Sequence, residues 1–176
     1  MDQPTSALRY RVGQFLRALT ARVSEEEVEQ AICILTPEAR ALFRCQAVQD
    51  QRHALVVYHA LRQAGHTNQQ LLAAALLHDV GKAAARLPEW QRAIIVLLEH
   101  FAPCLLARLS QGEPRGWSRP LVVYARHPEV GSRWAQEAGC TPLTVALIRR
   151  HQDGLIGRQT EEDQLLAALQ AADNLN

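Results

Sequence analysis

Residues 71–82 read LLAAALLHDVGK, and this stretch restricts the fold more than any other. Leu71 to Leu77 are all leucine or alanine, the residues that cost least in a helix, and they are apolar on every side. A helix of this kind is buried. It delivers an imidazole and a carboxylate, His78 and Asp79, to the point where its regular structure ends. Burying two such groups costs several kcal/mol unless something satisfies them, on the order of the penalty for unpaired polar side chains. A divalent cation would satisfy them, because neutral imidazole and carboxylate are ordinary ligands. Solvent at a helix C-terminus would serve as well, and for one His-Asp pair that is explanation enough.

The 176 residues fit one domain with a core of its own. Apolar residues make up 48% but aromatic ones only 5%, and leucine, alanine and valine in runs of helical length predict an all-helical chain. Nineteen basic and eighteen acidic residues leave a formal charge of +1, which lacks the basic footprint of a nucleic-acid binder. Cys33, Cys45, Cys104 and Cys140 form no C-x-x-C pair and read as small buried apolar residues in a reducing cytosol. The opening Met1-Asp2-Gln3-Pro4 has neither the cationic start nor the apolar run of a secretory signal. Ala93–Leu109 is the most membrane-like segment, but Glu99, His100, Pro103 and Arg108 interrupt it, so a buried or surface-docked helix pair is expected.

Along the chain, residues 6–22 set Leu8, Val12, Phe15, Leu16 and Leu19 on one helical stripe with arginines opposite. Ser24 with Glu27 predicts a capping box for a helix over 25–35, and Thr36-Pro37 predicts the next helix start. A long helix follows from about Cys45 to Ala64, ended by Gly65. His53 shares its face with Val56, Val57 and Ala60 and so points inward, whereas His59 and His66 read as surface residues. Alone, His53 is explained as a core histidine bonded to a neighbour. Asn68 can cap the helix that ends in His78-Asp79, Gly81 permits a sharp backbone change, and Lys82 lies just past the carboxylate.

Beyond Leu87-Pro88 a helix is predicted to about Phe101, with Pro103 forcing a break; His100 on it has no partner at informative spacing. Residues 110–119, SQGEPRGWSR, form the clearest loop. His127 precedes Pro128, which places it at an N-cap, and the helix that follows ends at Gly139. Thr141-Pro142 opens another helix, which stops at His151 before the turn Gln152-Asp153-Gly154. Arg149 and Arg150 in its last turn either complement the helix dipole or contact phosphate. Thr160 with Asp163 opens the final helix, where Asp173 sits in the run LLAALQAADNLN and needs a partner. His127 and His151 have two explanations, as helix-end residues or as ligands.

Collected in order, His53, His78, Asp79, His127, His151 and Asp173 each come from a helix or a helix end. The order H…HD…H…H…D is carried by QRHALVVYHAL, LLHDVGK, ARHPEVG, IRRHQDG and AADNLN between Gln49 and Asn174. It resembles the HD superfamily of metal-dependent phosphohydrolases. The resemblance implies a single-domain all-α bundle of about seven to nine helices, with residues 1–44 as a helical extension packed on an HD-type domain over 45–176. It implies a core ligand quartet, His53, His78, Asp79 and Asp173, with His127 and His151 matching the histidines that bind a second metal in some branches. Asp79 would bridge the ions and, with Lys82, carry the catalysis; Lys82 would hold a phosphate oxygen, and Arg126 and Arg150 would also touch substrate. Oxygen and imidazole ligands without thiolate suit Fe, Mn or Mg, as one or two ions.

The activity this implies is hydrolysis of a nucleotide or related small phosphate mono- or diester by a hydroxide bridged between metals, in the cytoplasm. Neither nucleic acid nor a membrane is expected as partner, and a homodimer is compatible with the reading. The alternative is a catalytically silent HD module that binds a nucleotide or a protein partner. The sequence departs from two branches of the family. HQDGLIGRQ has neither the doubled His nor the GYP of the cyclic-di-GMP phosphodiesterases that carry that motif. The branch that hydrolyses diadenosine tetraphosphate has a similar ligand set, with a His-Thr pair where this chain has His151-Gln152. Substrate identity is left open.

Overall fold

The computed structural model describes residues 24–85, 94–95, 97–98, 101–102, 105, 108–110, 119–154 and 160–175. Among them run eight α-helices and one 3-10 helix, with no strand. In order they are α1 (Glu25–Ile32), α2 (Pro37–Cys45), α3 (Val48–Gln63), α4 (Gln69–Leu77), the 3-10 helix (Val80–Ala85), α5 (Arg119–Ala125), α6 (His127–Glu137), α7 (Pro142–Arg150) and α8 (Glu161–Asn174). The described residues are helical with connecting turns, as the composition predicts. The predicted helix over 6–22, His100, and most of the 110–119 loop with Arg115 lie outside the described residues.

α4 sits in the middle, packed against α2, α3, α7 and α8. Leu71, Leu72 and Ala74 to Leu77 are buried in one apolar cluster with Val28, Ile32 and Phe43 from α1 and α2, Leu61 from α3, Leu147 and Ile148 from α7, and Leu166 and Leu169 from α8. Asn68 caps α4 by accepting from the Gln70 and Leu71 amides. Its other end is closed in two ways: the His78 ring donates to the Ala75 carbonyl, and buried Gln46 donates its amide to the Leu76 carbonyl. Carbonyls orphaned at a helix end are thereby satisfied without solvent. Thr144 donates its hydroxyl to the Gln70 carbonyl, joining α7 to the start of α4.

The predicted starts hold at Thr36, Thr141 and Thr160, whose side chains accept from Ala39, Thr144 and Asp163 amides, and the last is a full capping box. Gly65 and Gly139 follow their helices at φ of 86° and 75°. Other expectations need correction. Ser24 makes no side-chain cap; Glu27, its expected partner, pairs with His59 instead at 3.0 Å. Cys45 ends α2 rather than opening α3, because Gln46 and Ala47 are extended between the two helices. Val56 is on the exposed side of α3, whose buried side carries Ala54, Leu55, Val57, Tyr58 and Leu61. Cys33 and Cys45 are exposed and Cys140 is half-buried, so none of the three is a core residue. Arg119 already belongs to α5.

Gly81 serves a different purpose from the one expected. A Cβ there would lie 2.0 Å from the His127 carbonyl oxygen and 2.8 Å from the Gly131 nitrogen. The glycine lets the 3-10 helix lie directly on the first turns of α6, where Asp79 meets His127. No helix among the described residues is long and apolar enough to cross a membrane. In the 94–109 region, Ile95 with Leu98 and Leu109 packs against Leu121 and Tyr124 of α5, while Ile94, Leu97, Phe101 and Leu105 face outward.

Candidate metal centre

Five helices and the turn after α4 deliver the six predicted ligands to one place. His78 is the C-cap of α4 and Asp79 follows it. His151 is the C-cap of α7. His127 is the first residue of α6, one position inside the N-cap it was expected to occupy, with Arg126 at the cap. His53 comes from the first half of α3 and Asp173 from the last turn of α8. The six form two triplets, His53/His78/Asp173 and Asp79/His127/His151, and within each triplet the ligand atoms lie within 4.8 Å of one another. The triplets adjoin. His78 Nε2 is 3.6 Å from Asp173 Oδ1 and 3.5 Å from Asp79 Oδ2, while Asp79 Oδ1 is 3.2 Å from His127 Nε2 and 3.8 Å from His151 Nε2.

Three of the four imidazoles are aimed by the same local device. His78, His127 and His151 each turn Nδ1 to the carbonyl three residues earlier, on Ala75, Tyr124 and Ile148. A carbonyl only accepts, so Nδ1 carries the proton and Nε2 is left with a lone pair pointing into the centre. Metal-ligating histidines are oriented in this way. Without a cation the arrangement is costly. His127 Nε2 and His151 Nε2 face each other at 3.2 Å, and His78 Nε2 is buried with no hydrogen-bond partner. A divalent ion relieves both conflicts, so these residues fit a metal.

The electrostatics agree. Burial above all pushes His151 down to about 3, so it is a neutral imidazole at pH 7. Burial acts the same way on His78, but the Asp79 and Asp173 carboxylates outweigh it and hold this imidazole above its ordinary value, so a cation at Nε2 takes the place of a proton. Burial would raise Asp79, yet the Lys82 ammonium above all holds it well below the usual carboxylate range. Asp173 is also held down, against burial, by the hydrogen bond from His53 and by the nearby His78 imidazole. Asp79 and Asp173 bring two carboxylates to these imidazoles, an ordinary ligand set for a cation.

Lys82 is nearer to Asp79 than the sequence suggested: Nζ lies 2.6 Å from Oδ2, and 5.4 Å above the Tyr124 ring. Arg150 lies with different company. It pairs with Glu162, and with Asp163 at 2.9 Å and Asp153 at 3.7 Å, tying α7 to the start of α8. With Arg149 it also lines a cleft of about 490 Å³ beside Gln136, Cys140, Pro142, Val145 and Ala146, none of them a residue of the centre. Arg126 is exposed at the N-cap of α6. Two contributors were not foreseen. Tyr124 supplies both the carbonyl that aims His127 and the ring beside Lys82. Gln170 donates its amide to the His151 and Asp153 carbonyls at 3.0 and 2.8 Å. Its spacing from Asp173, three residues on α8, puts both on one face and was the available signal.

No family model, no curated protein and no solved structure matches this chain.

Proposed function

We propose that the protein is a metal-dependent phosphohydrolase of the HD type, acting on a nucleotide or related small phosphate ester. The observation that carries this reading is the convergence of buried, Nε2-forward imidazoles on two carboxylates, with an ammonium alongside. His53, His78 and Asp173 would hold one divalent ion and Asp79, His127 and His151 another, Asp79 offering an oxygen towards each side. Such ions, when bound, supply Lewis acidity that lowers the pKa of water and takes up charge on phosphoryl oxygens. The chain itself sets the direction of approach. His78, Asp79, His127 and His151 are buried, whereas His53, Asp173 and Lys82 keep 30%, 29% and 21% of their side chains exposed. A phosphate would enter across these three, with Lys82 exchanging part of its contact with Asp79 for a phosphate oxygen.

The 2.6 Å ion pair between Lys82 and Asp79 favours the second reading, a silent module that binds a nucleotide or protein partner without turning it over. An ammonium already neutralised by a carboxylate is less free to serve a substrate. Purified protein supplied with Mn or Fe, tested against mono-, di- and polyphosphate nucleotides, separates the two. Turnover that chelator abolishes supports the hydrolase. Bound metal with no turnover on any of these esters supports the silent module.

A further inference from the structure

The two triplets differ in what they leave unsatisfied, and from this we infer that they load in a fixed order. Asp79, His127 and His151 take the first, slowly exchanging divalent ion; His53, His78 and Asp173 take a second, readily exchanged one. This rests on the metal-centre reading above and reverses the order implied by the quartet, in which His53 and Asp173 belong to the constitutive set.

In the first triplet the ligand atoms are three acceptors facing one another. His127 and His151 donate from Nδ1 to backbone carbonyls, and Asp79 Oδ1 has no proton to offer. The three residues are 0–4% exposed, so water has little access to bridge them. Three preoriented lone pairs without a donor make a site that gains most from a cation. The second triplet partly satisfies itself. His53 Nε2 donates to Asp173 Oδ1 at 2.7 Å, and a metal must break that bond to bind there. Both side chains are near 30% exposed, which gives water and chelators a route in. His78 Nε2 remains as its one unpartnered ligand atom, enough to attract an ion but fewer unmet acceptors than in the other triplet. Lys82 sharpens the asymmetry by neutralising Oδ2 of Asp79 and leaving Oδ1 turned to the two histidines.

The test is release of metal from the full chain. Protein loaded with Mn(II) is mixed with excess chelator, and the metal retained is measured against time. Two phases are expected, the slow one at least about tenfold slower, in line with the effect of better-supported ligands. Asp173→Asn and His53→Ala should lose the fast phase and keep the slow one. His151→Ala and His127→Ala should lose the slow phase. Paired variants in each triplet, with helix content followed by circular dichroism, guard against one substitution that merely unfolds the chain. Release in a single phase, or a slow phase that survives His151→Ala and disappears in Asp173→Asn, overturns the order while leaving the metal centre standing. Wild-type protein that takes up no Mn(II) overturns both.

Discussion

His151 is aimed by the carbonyl of Ile148 on its own helix, whereas His53 is aimed by Asp173, 120 residues further along the chain. Apart from His78, which is aimed by Ala75 on its own helix, the same contrast divides the centre. The buried half uses contacts three residues long: His151 is oriented by its own helix, and His127 by the Tyr124 carbonyl at the end of the helix just before it. The half-exposed half exists only when α8 lies against α3. Gln170 on the end of α7 and Arg150 on Glu162 and Asp163 tie α8 to α7 besides. Local aiming resists perturbation from elsewhere in the molecule; aiming across the fold couples a ligand to the packing of a terminal helix. The two halves should therefore fail in different ways.

The largest effect is expected where the buried half is assembled by close backbone contact. Gly81→Ala would press a methyl into the His127 carbonyl and the Gly131 amide, backbone atoms that cannot turn aside. A loss of about 3 kcal/mol or more is expected, at the upper end for overpacking. Urea denaturation measures it, and a midpoint equal to wild type would show that the 3-10 helix is not held as described. Lys82→Ala comes next. It leaves the Asp79 carboxylate buried without its cation, so the metal-free protein should lose about 3 kcal/mol, the low end for breaking such a pair because Lys82 is itself part-exposed. Excess Mn(II) should restore much of that stability, since an ion replaces the ammonium, while turnover falls roughly 100-fold. A variant equally stable with and without metal would contradict the pairing. The smallest effect is expected where α8 is tied to the end of α7. Gln170→Ala frees the His151 and Asp153 carbonyls at a part-buried site and should cost about 1 kcal/mol. Protection of α8 amides from hydrogen exchange should fall while that of α4 does not. Equal loss in both helices would erase the distinction between the halves.

Much of the scaffold was legible because helix ends are written locally. Thr36, Asn68, Thr141 and Thr160 cap the helices their sequence context assigns, and Gly65 and Gly139 follow helices at positive φ. The buried run before His78 placed α4 at the centre for the same reason. The six ligand positions could be read as helix ends and inward faces, but not their division into two triplets, which depends on how α3 and α8 meet. What the sequence misled about is also tertiary. Gly81 looks like a turn residue and is a contact residue, because its neighbour is α6 rather than the next stretch of chain. Arg150 looks poised for phosphate from its place in a last helical turn, yet its partners come from α8. Ser24 and Glu27 have the letters of a capping box, and Glu27 pairs with His59 of α3 instead.

Asp79 is the residue both halves share, with Oδ1 towards His127 and His151 and Oδ2 towards His78 and Lys82. The most direct measurement is therefore the metal content of wild type and Asp79→Asn after loading with Mn(II) or Fe(II) and gel filtration, with helix content followed alongside. Wild type should emerge with bound metal and the variant, still helical, with little or none. A folded wild-type protein that emerges metal-free would contradict the account at its centre.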